Sequence, residues 1–251
     1  MMIKITESCS MGCTHCMNNA KPCNKHMSEE TFKDALQFQL KHGGPFCILT
    51  GGEPTEHPQF MKFVTMALET RCHVTVTTNG VWMQDKYITV DGLCDQYAGP
   101  FWQVTSDKRY YPVSIDTTLP VFHRPNVVVC DELGPIYPQG RAVTNGLHCE
   151  AKGSKCFNIR AVVKQLYDQH GDRLTLDFVN GMMLINQRMC TPHITVSGDI
   201  KLGESDLCPV CSNIYKPEKE IIQDILHFRC GQCSHINRNL TPQLLALIGE
   251  S

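Results

Sequence analysis

No apolar run in this sequence approaches the roughly 18 residues that a membrane-spanning helix needs, so it offers no candidate for a span. Charge of one sign is missing too. Lys and Arg number 23 and Asp and Glu 25, a net charge of −2, which provides no basic field to grip nucleic acid and no acidic tail. The stretch ahead of Cys9 is too short for a signal peptide, so the chain reads as intracellular and cytoplasmic. There is no repeat beyond alternating strands and helices, and no low-complexity segment. A length of 251 residues suits one large core, or one domain with a small appendage.

Cysteine is what the sequence has in excess. There are 15, an odd number, and in a reducing compartment such a count points to metal or cluster ligands rather than disulfides. Three crowd the stretch Cys9-Ser10-Met11-Gly12-Cys13-Thr14-His15-Cys16, spaced C-x3-C-x2-C just after the apolar residues Ile3 and Ile5. Thiolates are soft ligands that hold iron–sulfur clusters or zinc. A four-iron cluster usually takes four thiolates. Either Cys23 is the fourth, or one iron stays open to another ligand. Three buried cysteines in a loop is the plain alternative.

The periodicity alternates along the chain. Ile3 to Thr6 reads as a strand. Ser28 caps a helix with Glu29 and Glu30 in its first turn and Phe32, Leu36 and Leu40 at helical spacing, stopped by Gly43-Gly44-Pro45. Phe46 to Thr50 is a second strand that runs into Gly51-Gly52-Glu53-Pro54, and Phe60, Phe63, Val64, Ala67 and Leu68 share one face of the next helix. Val74 to Thr77 is a third strand, ending in Thr78-Asn79-Gly80. Met83 to Tyr97 has helical content weakened by Val90-Asp91-Gly92. Phe101 to Thr105 and Val127 to Cys130 are the fourth and fifth strands, with Pro112 and Pro120 arguing against a long helix between them. Asn158 to His170 reads as a helix and Leu174 to Val179 as a sixth strand.

This alternation implies an α/β fold with a parallel sheet and right-handed crossovers. The expected architecture is a partial (β/α)6 TIM-like barrel over residues 1–181, with an open doubly wound sheet as the competitor. In both, the working face lies at the C-terminal ends of the strands, where the cysteine loop, GGEP and TTNG all fall. Residues 182–251 form a small cysteine-rich C-terminal extension. There Ile194 to Leu202 reads as a hairpin turning near Ser197 to Asp199, Pro217 to Phe228 as a helix, and Thr241-Pro242 opens a short helix ending at Ile248.

The cysteine motif resembles that of the radical S-adenosylmethionine (radical SAM) superfamily, in its C-x3-C-x2-C class. The resemblance implies that Cys9, Cys13 and Cys16 hold a [4Fe–4S] cluster whose open iron is chelated by the amino and carboxylate groups of SAM. Gly51-Gly52-Glu53-Pro54 resembles the family's GGEP motif. Its glycines let backbone polar groups approach a ligand closely, and the Glu53 carboxylate suits an ammonium, by resemblance that of SAM. On its own, the same segment is equally a turn before a helix. Thr77 to Gly80 matches a further family segment, which adds Thr78 and Asn79 to the cofactor-binding candidates. Ser106 and Asp107 sit where the family often places ribose contacts; a capping pair in a loop is the alternative. Pro138-Gln139-Gly140-Arg141-Ala142 resembles a Gly-Arg-Ala segment of relatives with extra clusters, and Arg141 would meet a carboxylate or make a surface salt bridge. His15 would hydrogen-bond near the cluster or stabilise its loop.

Cys208-x2-Cys211 and Cys230-x2-Cys233 lie 18 residues apart, which by spacing alone reads as structural zinc. With Cys190 ahead of the hairpin they also resemble the auxiliary-cluster extensions, of SPASM or twitch type, found in many radical SAM enzymes. The full SPASM cysteine run is absent. A second [4Fe–4S] cluster and zinc both stay open, held by four of these five cysteines. Cys47, Cys72, Cys94 and Cys130 read as small buried hydrophobes. Cys149 and Cys156 fall outside the site. Asp177 and Asn180 are candidate substrate contacts.

The implied function is enzymatic. An external flavodoxin- or ferredoxin-like donor reduces the cluster, SAM is cleaved, and a 5′-deoxyadenosyl radical takes a hydrogen atom from an unidentified substrate. Peptide, protein or small-molecule modification leads. Nucleoside or nucleic-acid base modification, activation of a glycyl-radical enzyme, and a non-catalytic iron–sulfur or zinc module are the alternatives.

Overall fold

Strands that alternate apolar and polar residues bury one face, and the first four strands do so throughout. In β1 (Met2–Thr6) Ile3 and Ile5 are buried, in β2 (Phe46–Gly51) Cys47 and Leu49, in β3 (His73–Thr78) Val74 and Val76, and in β4 (Phe101–Thr105) Trp102 and Val104. On the opposite face Thr50, Thr77 and Thr105 stay half exposed. This computed structural model describes residues 1–42, 46–97, 99–133, 136, 139–147, 168, 192–203 and 208–227.

β1 to β4 and β5 (Val127–Cys130) are parallel neighbours in the order β5-β4-β3-β2-β1. Each new strand is added on the same side. With right-handed crossovers, that order puts every connecting helix on one face. A doubly wound sheet instead reverses direction at a switch point, and these five strands contain no reversal. Beyond β1 the sheet continues through β6 (Pro192–Ile194), parallel to β1, and then antiparallel β7 (Asp199–Leu202) and β8 (Val210–Asn213). The expected hairpin is therefore present, turning at Gly198 with φ +84°, and its strands extend the same eight-stranded sheet.

The helices cover the apolar face. Ser28 Oγ accepts from the Thr31 amide at 3.1 Å and starts α1 (Glu29–His42). Phe32 of α1 stacks on Phe63 of α2 (Phe60–Glu69) with ring centroids 4.1 Å apart. The segment weakened by Gly92 in sequence is two helices, α3 (Val81–Asp85) and α4 (Tyr87–Tyr97). Burial of Val90 and Leu93 outweighs the helix cost of Gly92, about 1 kcal/mol. Between β4 and β5 there is only a short 3-10 turn, Pro120–His123. A short α5 (Arg141–Thr144) follows β5, and α6 (Glu218–His227) buries Ile221 and Ile222 in the same core. The helix expected over 158–170 (Asp168 aside), the strand over 174–179, the helix opening at Thr241, Cys149, Cys156, Asp177, Asn180, Cys190, Cys230 and Cys233 lie outside the described residues. Among the described residues no helix is long and apolar enough to cross a membrane.

Candidate active site

The loop that leaves β1 returns beside its own stem. Glu7 N donates to Lys25 O at 2.9 Å, Cys9 N to Lys21 O at 3.2 Å and Met27 N to Ile5 O at 2.8 Å. Gly12, between the first two cysteines, has φ +69°, a left-handed value that glycine adopts at little cost. Cys9 and Cys13 are buried and Cys16 half-buried. All three line one cavity of about 310 Å³ at the C-terminal ends of β2 to β4. Cys23 does not line it.

The Gly-Arg-Ala segment locks this loop from behind. A Cβ on Gly140 would meet Cys16 O, and φ there is +56°, so both space and backbone demand glycine. That close approach lets Arg141 N donate to Cys16 O at 2.9 Å. The Arg141 guanidinium then donates from Nε to Cys13 O and from Nη1 to Ala20 O, each at 2.8 Å. Nη2 is buried and makes no hydrogen bond among the described residues, although Arg141 lines the cavity. Arg141 is thus a brace for the loop with one donor in reserve, not a surface ion pair.

GGEP and TTNG meet through Glu53. Its carboxylate is buried and accepts from Thr55 N and Oγ1 (3.3 and 2.7 Å), Thr78 Oγ1 (2.7 Å) and Asn79 N (2.8 Å). No cationic side chain pairs with it among the described residues. Burial pushes the Glu53 carboxyl above its ordinary range, and these donors oppose that. Gly51 and Gly52 are required by chain packing: a Cβ on either would strike backbone of β1 or of the residues after it, Thr6 O at 2.6 Å and Ser8 O at 2.3 Å. Pro54 opens the 3-10 turn Pro54–Glu56 and does not line the cavity.

Ser106 and Asp107 are placed differently. Both are buried, and neither lines the cavity. Asp107 Oδ1 accepts from Arg109 Nε at 2.9 Å, and Oδ2 from Arg109 Nη2 at 2.5 Å and Leu133 N at 2.9 Å. The Arg109 guanidinium holds its carboxyl well below the usual range. At that strand end Thr105 and Tyr111 take the cavity wall, with their hydroxyls 2.7 Å apart. His15 also lines the cavity, its ring 5.1 and 5.2 Å from those of Tyr110 and Tyr111, and burial pushes its pKa down.

Sequence reasoning missed Tyr111, Thr105 and Glu56. A signal existed for Thr105, since threonine recurs near the ends of β2, β3 and β4 at Thr50, Thr77 and Thr105. Nothing in the sequence marked Tyr111 or Glu56.

Burial pushes the Cys9 thiol up to about 11 and Cys13 up to about 12, where the nearby Cys9 and Cys16 add and Arg141 opposes. A soft cation would supply the charge that burial withholds, because thiols must lose their protons to ligate metal. Among the described residues no three His, Cys, Asp or Glu converge to hold a single metal ion. A polynuclear cluster has a body of its own, and its thiolates surround that body rather than converge on one point. Near the hairpin Cys208 is buried. Cys211 is half-buried with its thiol pushed up to about 12, first by burial and then by Asp224.

No curated protein matches the chain. Residues 3–100, which carry the cysteine loop, GGEP and TTNG, match the model of the Radical SAM superfamily, and the match supports that superfamily for this part of the chain.

Proposed function

We propose that this chain is a radical SAM enzyme, with its reaction centred on the cavity that Cys9, Cys13 and Cys16 share with Glu53 and Arg141. The observation that carries the reading is a complementary pair of unmet needs in that cavity. Among the described residues Glu53 is a buried carboxylate with no cation, and Arg141 Nη2 is a buried donor with no acceptor. The amino-acid end of SAM carries one ammonium and one carboxylate, which answer both. Among the described residues the wall carries three thiols, which suit a [4Fe–4S] cluster with one iron left for SAM. When bound, cluster and SAM supply one-electron reductive cleavage and hydrogen-atom abstraction; the chain's own residues bind, orient and shield.

Cys9, Cys13 and Cys16 would hold the cluster, with Arg141 fixing the backbone at Cys13 and Cys16. Glu53 would orient the SAM ammonium, held in place by Thr78 Oγ1 and Asn79 N. Thr50, Thr77 and Thr105 line the same space, and Tyr111 and His15 would help keep water out. One-directional strand order with one polar face favours the partial-barrel architecture, whose lumen would take the substrate. The electron donor is a flavodoxin- or ferredoxin-like protein. In the C-terminal region, four of Cys190, Cys208, Cys211, Cys230 and Cys233 would bind a second cluster or zinc.

The test is anaerobic reconstitution with iron and sulfide, metal counting, then dithionite and SAM with chromatography for 5′-deoxyadenosine. Product formation is the expected result; iron incorporation without SAM binding would turn the reading to an electron-carrying module. Joint replacement of Cys208, Cys211, Cys230 and Cys233 by Ala should remove a second metal while sparing 5′-deoxyadenosine formation.

A further inference from the structure

Glu56 sits one turn after GGEP and reaches back across the sheet to the cysteine loop. Its Oε1 accepts from Ser10 N and from Ser10 Oγ, both at 2.7 Å, and its Oε2 accepts from Ser8 Oγ at 2.9 Å. Ser8 Oγ in turn accepts from Cys23 N at 3.3 Å. The two serines flank Cys9, so one carboxylate grips the chain on both sides of a cavity cysteine. Three donors and no acceptor converge on it, which is the pattern of a carboxylate, an acceptor-only group. Among the described residues no Lys, Arg or His pairs with it. Glu53 sets its position: Glu56 N donates to Glu53 O at 3.0 Å, while Glu53 N donates to Ser8 O at 2.8 Å. The turn and the loop therefore form one hydrogen-bonded unit, and its charge lies on the Cys9 side.

We propose that Glu56 is a positioning residue of this site: it clamps the Cys9 turn and keeps a fixed negative charge against the metal cluster that the turn would hold, which lowers the reduction potential of that cluster. The inference rests on the radical SAM reading. Two effects act in the same direction. Negative charge near an iron–sulfur cluster favours its oxidised form, and hydrogen bonds to cluster or cysteine sulfur favour its reduced form. Glu56 supplies the first. By engaging the Ser10 amide, it also withholds a loop N–H from the second. Cys9 is buried, while Glu56 is half-buried and Ser10 exposed, so solvent and salt screen this charge in part.

The experiment compares wild type, Glu56→Gln and Glu56→Ala after anaerobic reconstitution. The readouts are iron content and the midpoint potential, followed by electron paramagnetic resonance as dithionite is added. Hydrogen exchange at the Ser10 amide is read on each chain before iron is added. Gln keeps an acceptor for Ser10 and loses the charge; Ala loses both. The expected result is a stepwise positive shift in potential, wild type below Gln and Gln below Ala, with faster Ser10 exchange and lower iron retention in Ala. Equal potentials for wild type and Gln would overturn the electrostatic role, and unchanged Ser10 exchange in Ala would overturn the clamp. A wild-type chain that takes up no cluster would instead sink the reading on which the inference rests, and the inference with it. A merely structural Glu56 predicts faster exchange in Ala and no shift in Gln, so the Gln potential separates the two roles.

Discussion

The ends of β2 and β4 each carry a buried carboxylate, and the two live in opposite electrostatic settings. Glu53 lines the cavity, is held among the described residues by neutral donors only, and has its pKa pushed up. Asp107 lies outside the cavity wall, is gripped by Arg109, and has its pKa pushed down. A carboxylate that already has its cation is structural. One that has no cation among the described residues fits the proposed role of a seat for the SAM ammonium. The same residue chemistry at equivalent positions along the sheet thus divides into a brace at Asp107 and, on the proposed function, a binding group at Glu53.

The broadest challenge to this comparison is to remove the cavity's three cysteines, the proposed cluster ligands. Cys9→Ala, Cys13→Ala and Cys16→Ala together should abolish 5′-deoxyadenosine formation and one cluster's worth of iron; residual cleavage would mean that the cavity is not the reacting centre. Next come the carboxylates themselves. Glu53→Gln should weaken SAM binding about tenfold to a hundredfold, the equivalent of about 1.5–3 kcal/mol for a hydrogen bond to a charged group, with little change in Tm. Asp107→Asn should do the reverse, costing about 1–3 kcal/mol of stability and leaving SAM affinity nearly intact. Calorimetric titration and thermal melts of both variants would break the comparison if the effects came out exchanged. Gly140→Ala should cost at least about 1–2 kcal/mol through its positive φ alone, read as a lower Tm with poorer iron retention, because a Cβ there pushes on Cys16 O.

The smallest effect is on pH dependence, where the two carboxylates should pull in opposite directions. Asp107 has a lowered pKa when folded, so its stabilisation is full above the ordinary value of 3.8 and is lost as pH falls below it. Glu53 has a raised pKa, so its contribution is full below the ordinary value of 4.5 and shrinks as pH rises through the raised value. Urea midpoints between about pH 3 and pH 6 should show the deficit of Asp107→Asn closing on acidification, and Glu53→Gln gaining on wild type as pH rises.

Much of the scaffold was legible in the residues. Ile3, Ile5, Val74 and Val76 alternate with polar neighbours, Phe46 to Leu49 and Val127 to Cys130 are short apolar runs, and the first five strands fall on these segments. The cavity's cysteines and the meeting of GGEP with TTNG followed from motifs at strand ends. What did not follow was long-range. Asp107 reads in sequence as a ribose contact or a loop cap; it accepts from the Arg109 amide as a cap would, and the sequence carries no sign that the Arg109 guanidinium would also fold back onto it. Arg141 was expected to meet a carboxylate, yet most of its donors go to backbone carbonyls more than a hundred residues earlier in the chain. Backbone acceptors leave no trace in side-chain identity. Glu56 leaves no mark in the sequence for a different reason: its donors, Ser8 Oγ and Ser10 N and Oγ, lie 46 to 48 residues away and only the folded turn brings them to it.

The pairing of β1 with β6 has a consequence for biosynthesis. Ile3 sits opposite Ile194, so the strand that bears the cysteine loop keeps one side unpaired until residue 194 has left the ribosome. During that interval β1 is an apolar edge strand, the kind of surface that pairs with other nascent chains. A fragment that ends at residue 191 should therefore sediment as aggregate under conditions where the full chain stays in solution, and a fragment carried on through β8 should not.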